Sequence, residues 1–497
     1  MPVTVTGGAL RGVEAIPIEV EVDLLRRLPA VSIVGLAASA VKESAERVRS
    51  ALQSAQEEFP RKRVVINLMP ADVRKEGTAL DLPIALGILA AADAIPRDRV
   101  SQVLTAGELS LSGQLRSTRG ALPLAVLARK LDKTLVLPTA AAGIANLVPG
   151  TRVVGADTLA QVVGWLRGEI DLQAPAAALS PTIGSTVDLS EVRGQELARQ
   201  GLEVAAAGAH HLLLIGPPGC GKSMLAQRLP TILPELTVDE ALSVTQVHSA
   251  AGLLHQPTLV RRRPFRAPHH TVTLAGMVGD RTLRPGEVSL AHHGVLFLDE
   301  APEFQRAVIE ALRQPLEDGC VHLRRAAGSV THPAAITLVL AANPCPCGYA
   351  NSNEACHCTS GVIQRYLRRL SGPVMDRVDL RIPLQPVPGE LLMHPRPSES
   401  SADVRMRVLA ARRRQQRRGQ SGPNGRLRPS ELDQFCPLSA GAREALTTAA
   451  TSTALSGRAV SRLRKVSRTL ADLDESDVIR RSHVKAALSF RAPLGTP

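Results

Sequence analysis

Aromatic side chains are scarce, with one Trp, two Tyr and six Phe among 497 residues, or 2% of the chain. Leu, Val, Ile and Ala must fill the cores instead, and little material is left for stacking nucleic-acid bases. Cysteine is sparse as well: four of the seven are clustered, which fits a reducing cytoplasm better than a disulfide framework. Long apolar runs are missing. The uncharged window 134–151 is broken by Pro138, Gly143, Asn146, Pro149 and Gly150, so it reads as strand and loops, not a membrane span. Residues 1–10 lack the basic stretch and apolar core of a signal peptide, so a cytoplasmic protein without membrane partners is expected.

The chain is too long for a single core, and two to four domains are expected. Hydrophobic content of 44% and charged content of 21% are those of an ordinary globular protein. The net charge of +13 is unevenly placed. Residues 401–497 hold 19 Lys and Arg against 8 Asp and Glu, which implies a polyanionic partner. Arg412, Arg413, Arg414, Arg417 and Arg418, followed by Ser, Gly and Pro, predict a mobile basic linker or loop.

One stretch organises the rest. The apolar run Leu212, Leu213, Leu214, Ile215 breaks into Gly216, Pro217, Pro218, Gly219, Cys220, Gly221, Lys222 and Ser223, and a helical segment follows. Strand, glycine-rich loop and helix make a phosphate-binding loop: backbone N–H groups turn inward around a triphosphate and the helix N-terminus faces the same charge. Lys222 would reach the β and γ phosphates and Ser223 would ligate magnesium, in an ATP or GTP site. Downstream, the strand pattern ending at Leu298 delivers Asp299 to hold magnesium and Glu300 to polarise the attacking water. Another apolar strand ends at Asn343, which could touch the γ-phosphate. Arg377 lies near Asp376 and Asp379, and Arg458 stands at the start of an arginine-rich helix.

These residues resemble the AAA+ ATPases. Arg263 to His270 (RPFRAPHH), Arg284 to Glu300 (RPGEVSLAHHGVLFLDE), Leu340 to Gly348 (LAANPCPCG) and MDRVDL around Arg377 are similar to the magnesium-chelatase-like branch, specifically the ComM/YifB family. The resemblance covers nearly the whole chain. It implies that Lys222 and Ser223 are the Walker A pair, Asp299 and Glu300 the Walker B pair, Asn343 sensor 1, Arg377 the arginine finger and Arg458 sensor 2. It also implies ATP and Mg2+ as cofactors and a homo-oligomer, most simply a hexamer, in which Arg377 completes a neighbour's site.

The fold class expected is α/β, an AAA+ phosphate-loop core with a helical C-terminal lid behind a separate α/β domain. Residues 1–172 form that first domain, 173–190 a Pro- and Ala-rich linker, 191–390 the core, 391–430 a basic linker and 431–497 the lid. The segments 75–89 and 107–138 are similar to the proteolytic domain of Lon, whose chemistry needs a serine nucleophile and a lysine base. Ala79 and Arg116 stand where those residues should be, so the fold is read as kept and the peptidase as lost. Thr78 and Ser117 are the alternative nucleophiles.

Residues 320–332 alternate apolar and basic positions around Ala326 to Gly328, predicting a hairpin with Arg324 and Arg325 near its tip. In related AAA+ proteins such hairpins line a central pore, so both arginines are candidate DNA contacts with Arg412, Arg413 and Arg414. The alternative is an edge hairpin whose charges prevent aggregation. Cys345, Cys347, Cys356 and Cys358 have ligand spacing for one structural zinc; reduced thiols and an iron–sulfur cluster are the alternatives, and His357 could replace one thiolate. Family resemblance implies a motor on single-stranded or branched DNA during recombination in natural transformation. The competing class is a magnesium-chelatase-type ATPase that remodels a protein partner.

Overall fold

The structure is a computed structural model that describes residues 2–35, 39–70, 78–116, 119–173, 187–254, 259–325, 328–350, 356–370, 372–393, 398–452 and 455–491. Most of the expected 173–190 linker, the hairpin-tip residues 326 and 327, and Ser117 lie outside them.

The first domain is built on β1 (Val3–Arg11), β2 (Glu14–Leu25), β3 (Ala30–Val34), β4 (Arg63–Met69), β5 (Val103–Thr105), β8 (Thr134–Pro138) and β9 (Val153–Ala156), with β6 (Glu108–Leu109) and β7 (Leu115–Arg116) as a separate ribbon. The sheet order is β3-β4-β2-β1-β5-β8-β9. Helix Asp81–Ala91 is buried from Asp81 through Ala90, as expected of a helix that is apolar all round. Its one charge, Asp81, is satisfied by Ser44 Oγ at 2.5 Å, Arg47 Nε at 2.8 Å and the Leu109 N–H at 3.2 Å, the pairing a buried carboxylate needs.

Strand β1 was not expected from its sequence, because Gly7 and Gly8 interrupt its pattern. The reason lies in packing: a Cβ on Gly8 would stand 2.2 Å from Leu124 Cδ2 on helix Ala121–Lys130. Gly12 turns the β1–β2 hairpin at φ 67°, and its tip meets the ATPase core. A Cβ there would sit 2.1 Å from Val330 Cγ2 and 2.8 Å from His332 Cε1. Beside it, Val13 packs with Val247, Ala250 and Leu290.

The core sheet has the order β11-β12-β15-β10-β16, all parallel. Its strands are β10 (Leu212–Ile215), β11 (Phe265–Arg266), β12 (Val295–Leu298), β15 (Thr337–Ala342) and β16 (Leu380–Pro383). β12 and β15 are buried at every position, as near-continuous apolar runs in a parallel sheet require. Between them in sequence, β13 (Cys320–Arg325) and β14 (Gly328–Pro333) form the expected hairpin, pairing Arg325 with Gly328. Three helices follow at Ala440–Ser452, Gly457–Leu473 and Arg481–Ser489. Leu463, Val466, Val484 and Phe490 share one buried cluster with Leu212, Leu380 and Ile382, so the helical region is seated on the sheet.

The expected basic linker is a correction. Ser400 and Asp403 make a capping box that opens helix Ser401–Arg417, and Val404, Val408, Ala411 and Gln415 are buried along one face. That face packs on helices Glu196–Gly208 and Lys222–Ile232. The i, i+4, i+7 spacing was there to be read, but the dense arginines obscured it. They are largely occupied within the chain: Arg412 Nη2 donates to Ala206 O at 2.8 Å, Arg414 pairs with Glu475 at 3.2 Å, and Arg418 pairs with Asp472. Burial pushes the Arg412 pKa down to about 10. Arg413 and Arg417 remain exposed.

Candidate functional site

The carboxyl edge of the core sheet gathers the phosphate-site residues. Leaving β10, the chain turns through Gly219 at φ 76° and Gly221 at φ 91°, left-handed conformations that glycine adopts without strain, and enters helix Lys222–Ile232. Lys222 Nζ donates to Gly216 O at 2.7 Å, Pro217 O at 2.9 Å and Asn343 Oδ1 at 2.9 Å. Burial holds its pKa below the ordinary lysine value. Ser223 Oγ donates to Asp299 Oδ2 at 2.6 Å, which brings together the two oxygens expected to share magnesium. Glu300 follows in a left-handed conformation at φ 48° and is exposed. Strand adjacency explains the convergence: β10 and β12 flank β15, so Lys222, Asp299 and Asn343 leave three neighbouring strand ends. Cys220 is a small buried residue of the loop.

Arg377 and Arg458 lie elsewhere. Arg377 precedes β16, whose first residue Leu380 pairs with Leu212 at the start of β10, and the Asp379 N–H donates to His211 O at 3.0 Å. Arg377 therefore stands at the amino edge of the sheet, opposite Lys222. It is buried, donates to Pro373 O at 2.6 Å and pairs with Glu317. The Arg377 guanidinium, with help from Arg313 and Arg458, holds the Glu317 carboxyl below its usual range, and Arg458 lies one turn before Arg462, whose Nε is 3.5 Å from Asp379 Oδ1, which puts it at the same edge. The phosphate-loop residues and these two arginines thus stand on opposite edges of the core sheet.

Comparison with known proteins places the chain in a family. Models of the magnesium chelatase subunit ChlI match residues 20–141 and 188–392, and a model of its C-terminal region matches 398–491. YifB of Escherichia coli strain K12 is 44% identical over 487 residues, covering 97% of this chain and 96% of the relative. Competence protein ComM of Haemophilus influenzae is 42% identical over 491 residues, covering 97% and 96%. The chain belongs to the ComM/YifB family, in the magnesium-chelatase-like branch of the AAA+ ATPases. The 38 kDa magnesium-chelatase subunit of Cereibacter sphaeroides is more distant, 25% identical over 173 residues, or 31% of this chain and 52% of the relative.

In this ComM/YifB chain Asn343, the residue expected to be sensor 1, is joined to the cysteine cluster by the segment after β15. The Sγ atoms of Cys345, Cys347, Cys356 and Cys358 lie within 4.8 Å of one another. Separations of 3.2 Å for Cys345–Cys347, 3.5 Å for Cys347–Cys356 and 3.7 Å for Cys345–Cys356 approach the ~3.8 Å edge of a tetrahedron with Zn–S bonds of ~2.3 Å. A hydrogen bond from the Tyr349 backbone, then one from Cys345, draws the Cys347 thiol down to about 6, while burial and hydrogen bonds within the cluster hold the Cys356 and Cys358 thiols above the ordinary value. The donor set fits zinc; His357 is exposed beside it and outside the cluster. Gly348 at φ 91° lies against Pro218 of the phosphate loop, where a Cβ would be 2.8 Å from its ring. Sequence reasoning missed Tyr366: hydrogen-bonded to the Asn343 backbone, with Glu303, Glu300 and Cys345 nearby, its phenol is pushed up to about 12, chiefly by burial. A lone tyrosine at the end of an amphipathic helix, Ser360–Leu367, gives no local signal of such a role.

We expect purified protein to contain about one zinc per chain by elemental analysis, and Cys356→Ser to lose it. Structural zinc contributes on the order of 10 kcal/mol to small sites, so the variant should show an early thermal transition and weakened ATP hydrolysis, because Asn343 and Pro218 border the cluster. Metal-free wild type, prepared without chelator, would refute this.

In the ComM/YifB hairpin Arg324 and Arg325 are both exposed. In the N-terminal domain Thr78 Oγ1 donates to Glu108, and Arg116 is exposed in the β6–β7 ribbon.

Proposed function

We propose that this protein is an ATP- and Mg2+-dependent ring motor, most simply a hexamer, that moves branched DNA intermediates during recombination of incoming single strands. The observation that carries the reading is the separation of Lys222, Ser223, Asp299 and Asn343 from Arg377 and Arg458 on opposite sheet edges. A head-to-tail interface that repeats around a closed ring brings one subunit's arginines to the next subunit's phosphates. Likeness to competence protein ComM supports DNA as the track, and so does the basic charge. Arg324, Arg325 and Arg413 are the DNA-contact candidates we retain, since Arg412 and Arg414 are bonded within the chain. The N-terminal domain acts as a Lon-like fold without peptidase chemistry, Ala79 and Arg116 having replaced nucleophile and base.

Replacing Arg324 and Arg325 by Ala should flatten the dependence of log affinity on log salt by roughly one unit for each phosphate no longer neutralised, with sequence mattering little. Forked DNA should stimulate hydrolysis in the wild type and less in the variant. ATPase and junction-migration rates at several salt concentrations test this. No DNA stimulation and no salt-dependent binding by the assembled protein would favour the second reading, a chelatase-type ATPase acting on a protein partner, for which the matches to the ChlI subunit speak.

A further inference from the structure

We propose that Asp379 is a positioning residue that ties a subunit's own phosphate-loop strand to the arginines it offers its neighbour. The inference rests on the reading that Arg377 and Arg458 act across a subunit interface.

Three segments meet at this buried carboxylate. Asp379 Oδ2 lies 3.0 Å from His210 Nδ1, and Oδ1 lies 3.5 Å from Arg462 Nε. The Asp379 N–H donates to His211 O at 3.0 Å. His210 Nε2 is 2.8 Å from Thr469 Oγ1, and Thr469 and Arg462 both belong to helix Gly457–Leu473. His210 and His211 immediately precede β10, and the far end of that strand is the phosphate loop. Arg377 is the second residue before Asp379. Arg458 lies one helical turn before Arg462, on the same helix.

The Asp379, His210 and Thr469 chain has the order of a carboxylate, imidazole and hydroxyl relay, but no substrate reaches it. His210 and Thr469 have 0% exposure, and Thr469 Oγ1 donates to Lys465 O at 3.1 Å. A stabilising role alone is a poor account too, since a buried ion pair often gains nothing over apolar packing. Geometry suggests what the cluster does instead. β10 is short and hydrogen-bonded on both sides, to β15 and β16, so a shift of the phosphate loop is transmitted along it as a rigid unit. At its other end that displacement reaches Asp379, and through it both the segment bearing Arg377 and the helix bearing Arg458. Nucleotide state in one subunit would thereby set the arginines presented to the next.

The isosteric change Asp379→Asn removes the charge and keeps the shape. A fluorescent ATP analogue should bind as in wild type, while hydrolysis falls about 10- to 100-fold, the usual effect of removing a partner that orients a reacting group. The deciding measurement is complementation. Asp379→Asn subunits keep an intact phosphate loop, and Glu300→Gln subunits, which hold ATP without turning it over, keep arginines set by bound nucleotide. Co-expressed in equal amounts, they should place the two sound halves together at about one interface in four and recover about a quarter of wild-type hydrolysis, although each alone is nearly inactive. A residue that only stabilised its own subunit would give no such recovery. A parallel mixture of Arg377→Ala with Glu300→Gln tests the underlying reading. Recovery there without recovery for Asp379→Asn overturns the proposal alone; recovery in neither mixture overturns both. Wild-type hydrolysis by Asp379→Asn would also overturn it. Should that variant not fold, Arg462→Gln carries the same prediction into the same mixture.

Discussion

Lys222→Ala protein will fail to hold ATP, whereas Glu300→Gln protein will hold it without turning it over. The two side chains act on different charges. Lys222 sits inside the loop, its ammonium bonded to Gly216 O, Pro217 O and Asn343 Oδ1, and it would exchange these for phosphate oxygens present in both the ground and transition states. Charge-assisted hydrogen bonds contribute about 1.5–3 kcal/mol each, so losing two should weaken binding by roughly 100-fold or more. Glu300 is exposed at the strand end and is expected to act on the attacking water alone, so its amide should lower turnover by about 10²–10⁴-fold at unchanged affinity. Nucleotide titration and steady-state ATPase separate the two. Equal ATP affinity in Lys222→Ala and wild type would end the assignment.

Arg377→Ala should lower turnover by about 10³-fold or more with little change in ATP affinity, the scale of effect expected when a guanidinium is withdrawn from the transferring phosphoryl group. Because Arg377 lies at the amino edge of the sheet, wild-type specific activity should also fall when the protein is diluted below its assembly concentration. A variant with normal turnover, or a wild type whose rate per chain ignores dilution, would remove Arg377 from the reaction. The Glu317 partner has a corollary: since the Arg377–Glu317 pair must open for the guanidinium to reach a neighbour, Glu317→Gln should change turnover while leaving Lys222 contacts in place.

How far sequence carried the structure depended on whether a signal was local. The apolar runs at β10, β12 and β15 and the turn chemistry of the phosphate loop placed Lys222, Ser223, Asp299 and Asn343 together, because Lys222, Asp299 and Asn343 are the first polar residues beyond three buried strands and Ser223 follows Lys222 directly. The β13–β14 hairpin was legible from its alternation. β1 was not, because its glycines answer to Leu124 on a distant helix. Helix Ser401–Arg417 was misread as a linker because its arginines find partners in Ala206, Glu475 and Asp472, far away in sequence. The same reason hid Tyr366, whose place beside Asn343 depends on where the chain carries helix Ser360–Leu367.

The contact at Gly12 bears on which changes the chain tolerates. No side chain fits at this turn while Val330 and His332 keep their places, so a substitution at position 12 requires compensating changes at 330 and 332. A chimera that takes its N-terminal domain from one relative and its ATPase core from another must carry over both surfaces of this contact. Deleting the first domain outright would bare Val247, Ala250 and Leu290 together, leaving an apolar patch on the shortened enzyme that invites aggregation.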